Sequence, residues 1–175
     1  MVFARTKILM QDNCYEEEPG EVQMKYVGPN PQKLYDKMWE LMKSIFNVPD
    51  SAIQEERYNW GKGEKVEKFR VGWLLHKDMD AFSYIYLKAS LSGEGNEESG
   101  NATIAMKPYM RTEYPQDTVW QRSLFYEMLR VIWHKTFYSA KRDEYTEECR
   151  HLTVYFQKRV MEFFRELRET KGKGV

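Results

Sequence analysis

The stretch QDTVWQRSLFYEMLRVIWHKTFYSAKRDEYTEECRHLTVYFQKRVMEFFRELRETK, residues 116–171, holds no Gly and no Pro, and its apolar residues recur at helical spacing. In its distal part Tyr145, Cys149, Leu152, Phe156, Val160, Phe163 and Leu167 follow at steps of three and four, which keeps one apolar stripe on one side of an α-helix. Such a stripe needs a surface to cover it. One straight helix through the whole stretch would exceed ~80 Å at ~1.5 Å per residue, too long for a compact unit of this size. A break is therefore expected at residues 139–143, where polar residues interrupt the stripe and Asp143 is placed to cap the next helix. Before that break, residues 118–138 read as a separate helix with Leu124, Met128, Val131 or Ile132 and Trp133 on one side.

The surface for the stripe is expected from the strands upstream. Phe69, Val71, Trp73 and Leu75 alternate with Lys68, Arg70, Gly72 and His76, and residues 53–60 form a weaker strand ended by Gly61, Lys62 and Gly63. In residues 81–91, Ile85, Leu87 and Leu91 take one face while Phe82, Tyr84 and Tyr86 take the other, the pattern of a central strand. Residues 92–100 read as a mobile Gly- and Glu-rich loop. Ala102, Ile104 and Met106 open a further strand, which Pro108 weakens or places at an edge. Upstream, residues 2–10 and 22–26 alternate as strands on either side of an acidic link. Residues 31–46 form a helix, with Asn30 read as its cap, Pro31 in its first turn, and Leu34, Met38, Leu41 and Ile45 on one face. The fold class is thus α+β: an antiparallel sheet with an N-terminal helix and long C-terminal helices packed on it. Residues 1–175 are read as one domain, divided into 1–20 (strand and acidic link), 21–115 (strand, helix and antiparallel strands) and 116–175 (helices and a frayed tail).

Composition narrows the classes. A chain of 175 residues buries roughly 70% of its unfolded surface and sustains a core without staples. Cys14 and Cys149 stand far apart in unlike segments, so neither a disulfide framework nor a metal knuckle is expected, and Cys149 reads as a small core residue. With no export signal read in residues 1–10, the chain is expected to be cytoplasmic. No segment approaches the ~20 apolar residues of a membrane span. Lys plus Arg and Asp plus Glu both total 27, so no net field draws the chain to nucleic acid or anionic lipid.

No chemical motif dominates. Glu148 and His151 have the E-x-x-H spacing, but a di-metal helix pair needs two such motifs and two further glutamates, so no metal and no cofactor are expected. His76 and His134 lack a nucleophile or carboxylate at motif spacing. More informative is a set spread over two strands: Lys68, Arg70 and His76 share one parity, and Phe82, Tyr84, Tyr86 and Lys88 share another. On one face they make a polar aromatic surface, suited to line a ligand cavity, bind an anion or single-stranded nucleic acid, or meet solvent or a second subunit.

The order of strand, helix (residues 31–46), antiparallel strands (53–110) and long helix (143–169) resembles the helix-grip fold of the START, Bet v 1 and polyketide cyclase superfamily. The resemblance implies a cavity between sheet and last helix that takes apolar or lipid-like small molecules. Arg70, Tyr84, Tyr86, Phe156 and Phe163 are then expected to line it. A second reading is an oligomeric or partner-binding module without a ligand. Third comes a hydrolase or cyclase using His76 or Glu67; nucleic-acid binding ranks last.

Overall fold

Apolar–polar alternation in the middle of the chain builds a six-stranded sheet that is antiparallel throughout. The computed structural model describes residues 9–15 and 20–172. Four long strands, β3 (Ile53–Lys62), β4 (Glu67–Asp78), β5 (Ser83–Gly95) and β6 (Gly100–Glu113), lie side by side in chain order. β1 (Leu9–Asn13) and β2 (Val22–Gly28) share the outer edge of β6, β1 opposite Tyr109 to Glu113 and β2 opposite Gly100 to Met106. Pro108 falls in the gap between them. Its carbonyl accepts the Cys14 N–H at 3.1 Å on that side, so its missing N–H faces the gap and removes no ladder bond.

One face of the sheet is the floor of the core. Phe69, Val71, Trp73 and Leu75 of β4, Ile85, Leu87 and Leu91 of β5, and Ile104 and Met106 of β6 are buried under two helices. α1 (Leu34–Phe46), entered through the turn Pro31–Lys33, contributes Leu34, Met38, Leu41, Met42 and Phe46. α3 (Ser139–Gly172) contributes Cys149, Phe156, Val160, Phe164 and Leu167. The ring of Phe156 meets Phe46 with centroids 6.1 Å apart, and Phe164 meets Tyr26 at 5.0 Å. The α+β class and the long helix on an antiparallel sheet are as the sequence implies, an architecture compatible with helix-grip-like folds.

Several local readings need correction. The residue that enters the core is Phe164; Phe163 lies at the flank, half-buried, with the Lys37 ammonium 5.5 Å from its ring centroid. Thr153 takes the fully buried place expected for Leu152, its hydroxyl bonded to the Cys149 carbonyl at 2.8 Å, the back-bond that lets a hydroxyl sit inside a helix face. No break occurs at residues 139–143. Instead α2 (Leu124–Trp133) passes through a π-helical segment, His134–Tyr138, into α3 without leaving helical dihedrals, a run of about 70 Å at ~1.5 Å per residue. Residues 118–123 precede the helix, and Ser123 caps it by accepting from the Tyr126 N–H at 3.2 Å.

Residues 92–100 are not a loop but the end of one strand and the start of the next, joined at residues 96–99. Glycine permits this: a Cβ on Gly100 would lie 2.5 Å from Gly95 Cα and 2.7 Å from the Pro31 ring. Asn30 does not cap by its side chain; it sits in the left-handed region (φ 53°) and its Nδ2 donates to the Glu97 carbonyl. The first strand expected at residues 2–10 lies outside the described residues up to residue 8, and its described part runs on to Asn13.

Cys14 and Cys149 are joined in a disulfide spanning 135 residues. This corrects the expectation of two unlinked cysteines. The bond ties the segment after β1 to the buried face of α3, and by restricting the unfolded chain a loop of this size contributes on the order of 4–5 kcal/mol. Such bonds persist in oxidising surroundings, unlike the cytoplasm expected from the sequence. Among the described residues, no helix is long and apolar enough to cross a membrane.

Two outcomes follow from the packing. Phe164→Ala is expected to lower stability by about 3–5 kcal/mol in urea unfolding, whereas Arg165→Ala, on the exposed side of α3, is expected to be nearly silent. Peptide mapping without reductant should yield one linked fragment containing Cys14 and Cys149, and reductant should lower the unfolding midpoint.

Candidate functional site

Residues opposite one another in an antiparallel pair share a face. Tyr86 lies opposite His76 and Tyr109, Tyr84 opposite Asp78 and Arg111, Lys88 opposite Leu74 and Lys107, and Arg70 opposite Ser92. The polar aromatic surface read from strand parity is therefore the sheet face turned away from α1 and α3. Its rings already carry neighbours. His76 stacks on Tyr84 at 4.2 Å between centroids and its Nε2 lies 2.8 Å from Asp78 Oδ1. The Arg111 guanidinium sits 4.0 Å from the Tyr86 centroid, and its Nε donates to Gln11. Burial, then the bond to Glu113, pushes the Tyr84 hydroxyl up.

The five expected ligand residues do not converge. Arg70, Tyr84 and Tyr86 are on the open face, while Phe156, with 0% exposure, is in the core on the covered face and Phe163 is at the flank of α3. Strand alternation is the cause. Ile85 and Leu87 point to the helices, so Tyr84 and Tyr86 cannot.

Three other features carry chemistry. The first is a groove of about 980 Å³ between α1 and β3, lined by Tyr35, Trp39, Lys43, Val48 and Glu55 among others. Tyr35 packs its ring within 6 Å of Tyr58, Trp60 and Trp73 and donates to Glu55 at 2.9 Å. Burial first, and the Glu55 bond second, push its hydroxyl up to about 12. The second is a trough of about 770 Å³ on the open face, with Arg57, Arg70, Lys88 and Lys107 at its sides and Gly72, Ser90, Ser92 and Ala105 in its floor.

The third is a polar knot where the helical run meets the sheet. Tyr138 donates to Asp80 at 2.9 Å and contacts Ser83 Oγ at 2.7 Å, Ser83 contacts Thr112 Oγ1 at 2.7 Å, and Arg142 Nε donates to Thr112 at 3.0 Å. Arg142 also pairs with Asp12. Burial pushes the Asp80 carboxyl up, but the N–H groups of Phe82 and Ser83, the Tyr138 hydroxyl and the Lys141 ammonium outweigh it and hold the group below the ordinary carboxylate value. Beside the knot, His134 Nδ1 lies 2.9 Å from the Tyr114 hydroxyl, and burial, then Arg142, holds its pKa down.

Beyond the knot, little of the described structure covers α2. Only Arg130 in α2 is buried, and the Arg130–Glu127 pair faces inward. The expected apolar side of this helix, Leu124, Met128, Ile132 and Trp133, is exposed together with Phe125 and Phe137.

The remaining candidates have structural partners. Glu67 accepts from Trp60 Nε1 at 3.1 Å. His151 pairs with Glu147 at 3.1 Å, one turn away. Among the described residues, no group of three or more His, Cys, Asp and Glu is placed to hold a metal. Sequence reading missed Arg57, because β3 carries an extra residue between Glu55 and Arg57 that changes its facing. It also missed the bareness of α2, though apolar residues at Leu124, Phe125, Met128, Leu129, Val131, Ile132 and Trp133 are too many for one buried stripe.

No protein-family model matches the chain, and no curated protein matches it.

The knot makes a pH prediction. A carboxyl held below its unfolded value stabilises the fold fully above roughly pH 4 and loses that contribution as pH falls through the folded value. Asp80→Asn should therefore be destabilised relative to the native chain by a constant amount at neutral pH. In unfolding titrations the difference should shrink below pH 4.

Proposed function

We propose that the protein is a self-associating module in which two copies join through residues 119–137. One observation carries this reading. Ten large apolar side chains in that segment, from Val119 at 65% to Leu129 at 46%, are about half exposed. With aromatic side chains at 150–250 Å² each, the segment offers on the order of 1,000 Å² of apolar surface, more than a monomer usually leaves bare and about what one partner gives a standard interface.

Charge favours a second copy over other partners. Glu127 and Arg130 pair with each other and face inward, so Arg122 and Lys135 are the exposed charges of the segment. Two cations steer an acidic protein only weakly and fall short of the basic clusters that hold helices to anionic lipid. A second copy presents a face of the same size and chemistry.

The groove beside α1 favours a second reading, the small apolar ligand that the helix-grip resemblance implies. Tyr35, Trp39 and Val48 give it an apolar wall, whereas Phe46, Phe156 and Phe164 occupy the space between sheet and α3. Native mass spectrometry of the purified protein should then show an added mass that Trp39→Ala removes.

Sedimentation tests the first reading. The native chain should sediment at twice 21.1 kDa, and Phe125→Glu with Ile132→Glu should sediment as a monomer with unchanged circular dichroism. A native monomer, with or without affinity for lipid vesicles, would sink the proposal.

A further inference from the structure

We propose that the open sheet face holds a site for a small molecule carrying a chain of two or three phosphate groups, centred on Ser90 and ringed by Arg57, Arg70, Lys88 and Lys107. The register fixes the ring. Arg57 lies opposite Gly72, Gly72 opposite Ser90, and Ser90 opposite Ala105, so one row of small side chains crosses β4, β5 and β6 with an arginine at its β3 end. Two residues along the strands in one direction stand Arg70, Ser92 and Thr103; two residues the other way stand Leu74, Lys88 and Lys107. The centre is low and neutral and the rim is long and cationic, which forms the trough of about 770 Å³.

Among the described residues, the cations of the trough are not balanced. Lys107 pairs with Glu21 at 2.7 Å, and Glu56 is the other carboxylate of the lining. Among the described residues, four cations face two carboxylates in the lining. Arg57 and Arg70 have no ion pair among the described residues, and Lys88 reaches the Tyr86 ring at 5.9 Å. Like charges on neighbouring strands cost stability, and a bound anion reverses that cost.

The bulge in β3 is an independent observation. In an unbroken register from Ile53, Arg57 would lie opposite Val71, on the face that α1 and α3 cover; the bulge at Glu56 instead puts Arg57 opposite Gly72, over the trough, and turns Tyr58 and Trp60 toward Tyr35. Bulges re-aim side chains in this way next to functional sites.

Size selects the ligand. From β3 to β6 is three strand spacings, ~14 Å, wider than one phosphate and matched by a chain of two or three reached by flexible side chains. Ser90 and Ser92 add hydroxyl donors to the floor. A single nucleic-acid strand is disfavoured, because base stacking needs free ring faces and Tyr84 and Tyr86 already carry His76 and Arg111.

Isothermal titration of the whole protein with sodium triphosphate at low salt tests the site. Saturable one-to-one binding is expected, with inorganic phosphate at least tenfold weaker. Arg57→Gln with Arg70→Gln should weaken triphosphate binding at least tenfold. Gly72→Leu should abolish it by filling the trough; a Cβ there meets Arg57 Cβ at 3.6 Å, an ordinary contact, so the sheet should survive, which circular dichroism checks. Lys158→Gln, on exposed α3 surface, should change nothing. No saturable binding, equal loss in Lys158→Gln, or tighter binding of oligothymidylate than of triphosphate would each overturn the proposal. The Phe125→Glu, Ile132→Glu variant should bind triphosphate as the native chain does, so failure of self-association leaves this result readable.

Discussion

Phe46 of α1 and Phe156 of α3 meet within the same core cluster as Trp73, Leu75 and Leu87 of the sheet. That three-way contact sets the rest of the molecule. Burying three surfaces at one place is the dominant favourable term in a chain of this size, and it commits both helices to the same side of the sheet. The other side is then left to the alternate residues of each strand. Those are Arg70, Tyr84, Tyr86, Lys88 and Lys107, which supply charge and hydrogen bonds in place of a second apolar layer. A one-sided antiparallel sheet of this kind tolerates water on its bare face.

The same commitment explains α2. Counting back from Cys149 along the inner side of the helical run leads through Arg142 and Tyr138 to Arg130, Glu127 and Ser123. The inward residues become polar as the run passes the knot, and the apolar ones face outward. A π-helical segment carries one residue more per turn than its flanks, so it shifts the phase of everything beyond it. Asp80, Ser83, Thr112 and Tyr138 hold the run at this point. The helix therefore does not shed its apolar residues into the core; it turns them away from it.

Much of this was legible in the sequence, for identifiable reasons. The strands around Val71 and Ile85 and the helix of Leu34 to Phe46 follow from period alone, because one face of each is buried and the pattern has no competing solution. Phe163 and Phe164 are adjacent and chemically identical, so period cannot choose between them; Thr153 does, by absorbing its own hydroxyl and rotating the buried face. The gathering of residues 92–100 into a hairpin depended on how closely Gly95, Gly100 and Pro31 approach, which composition does not encode. For the open face, parity predicted that Arg70, Tyr84 and Tyr86 lie together, but not which side the helices would choose. Arg57 was out of reach, since a single inserted residue reverses facing and leaves no mark in the alternation around it.

The link between Cys14 and Cys149 has a topological consequence. Nearly all of the sheet, the whole of α1 and α2, and the knot lie between the two joined residues, so residues 14–149 form a covalent ring. One cut anywhere in the ring, at the exposed turn of residues 97–99 for example, separates no piece from another. A nicked molecule would keep both halves at the local concentration of an intact one, and the strands on either side of the cut would find each other again without a search through solution.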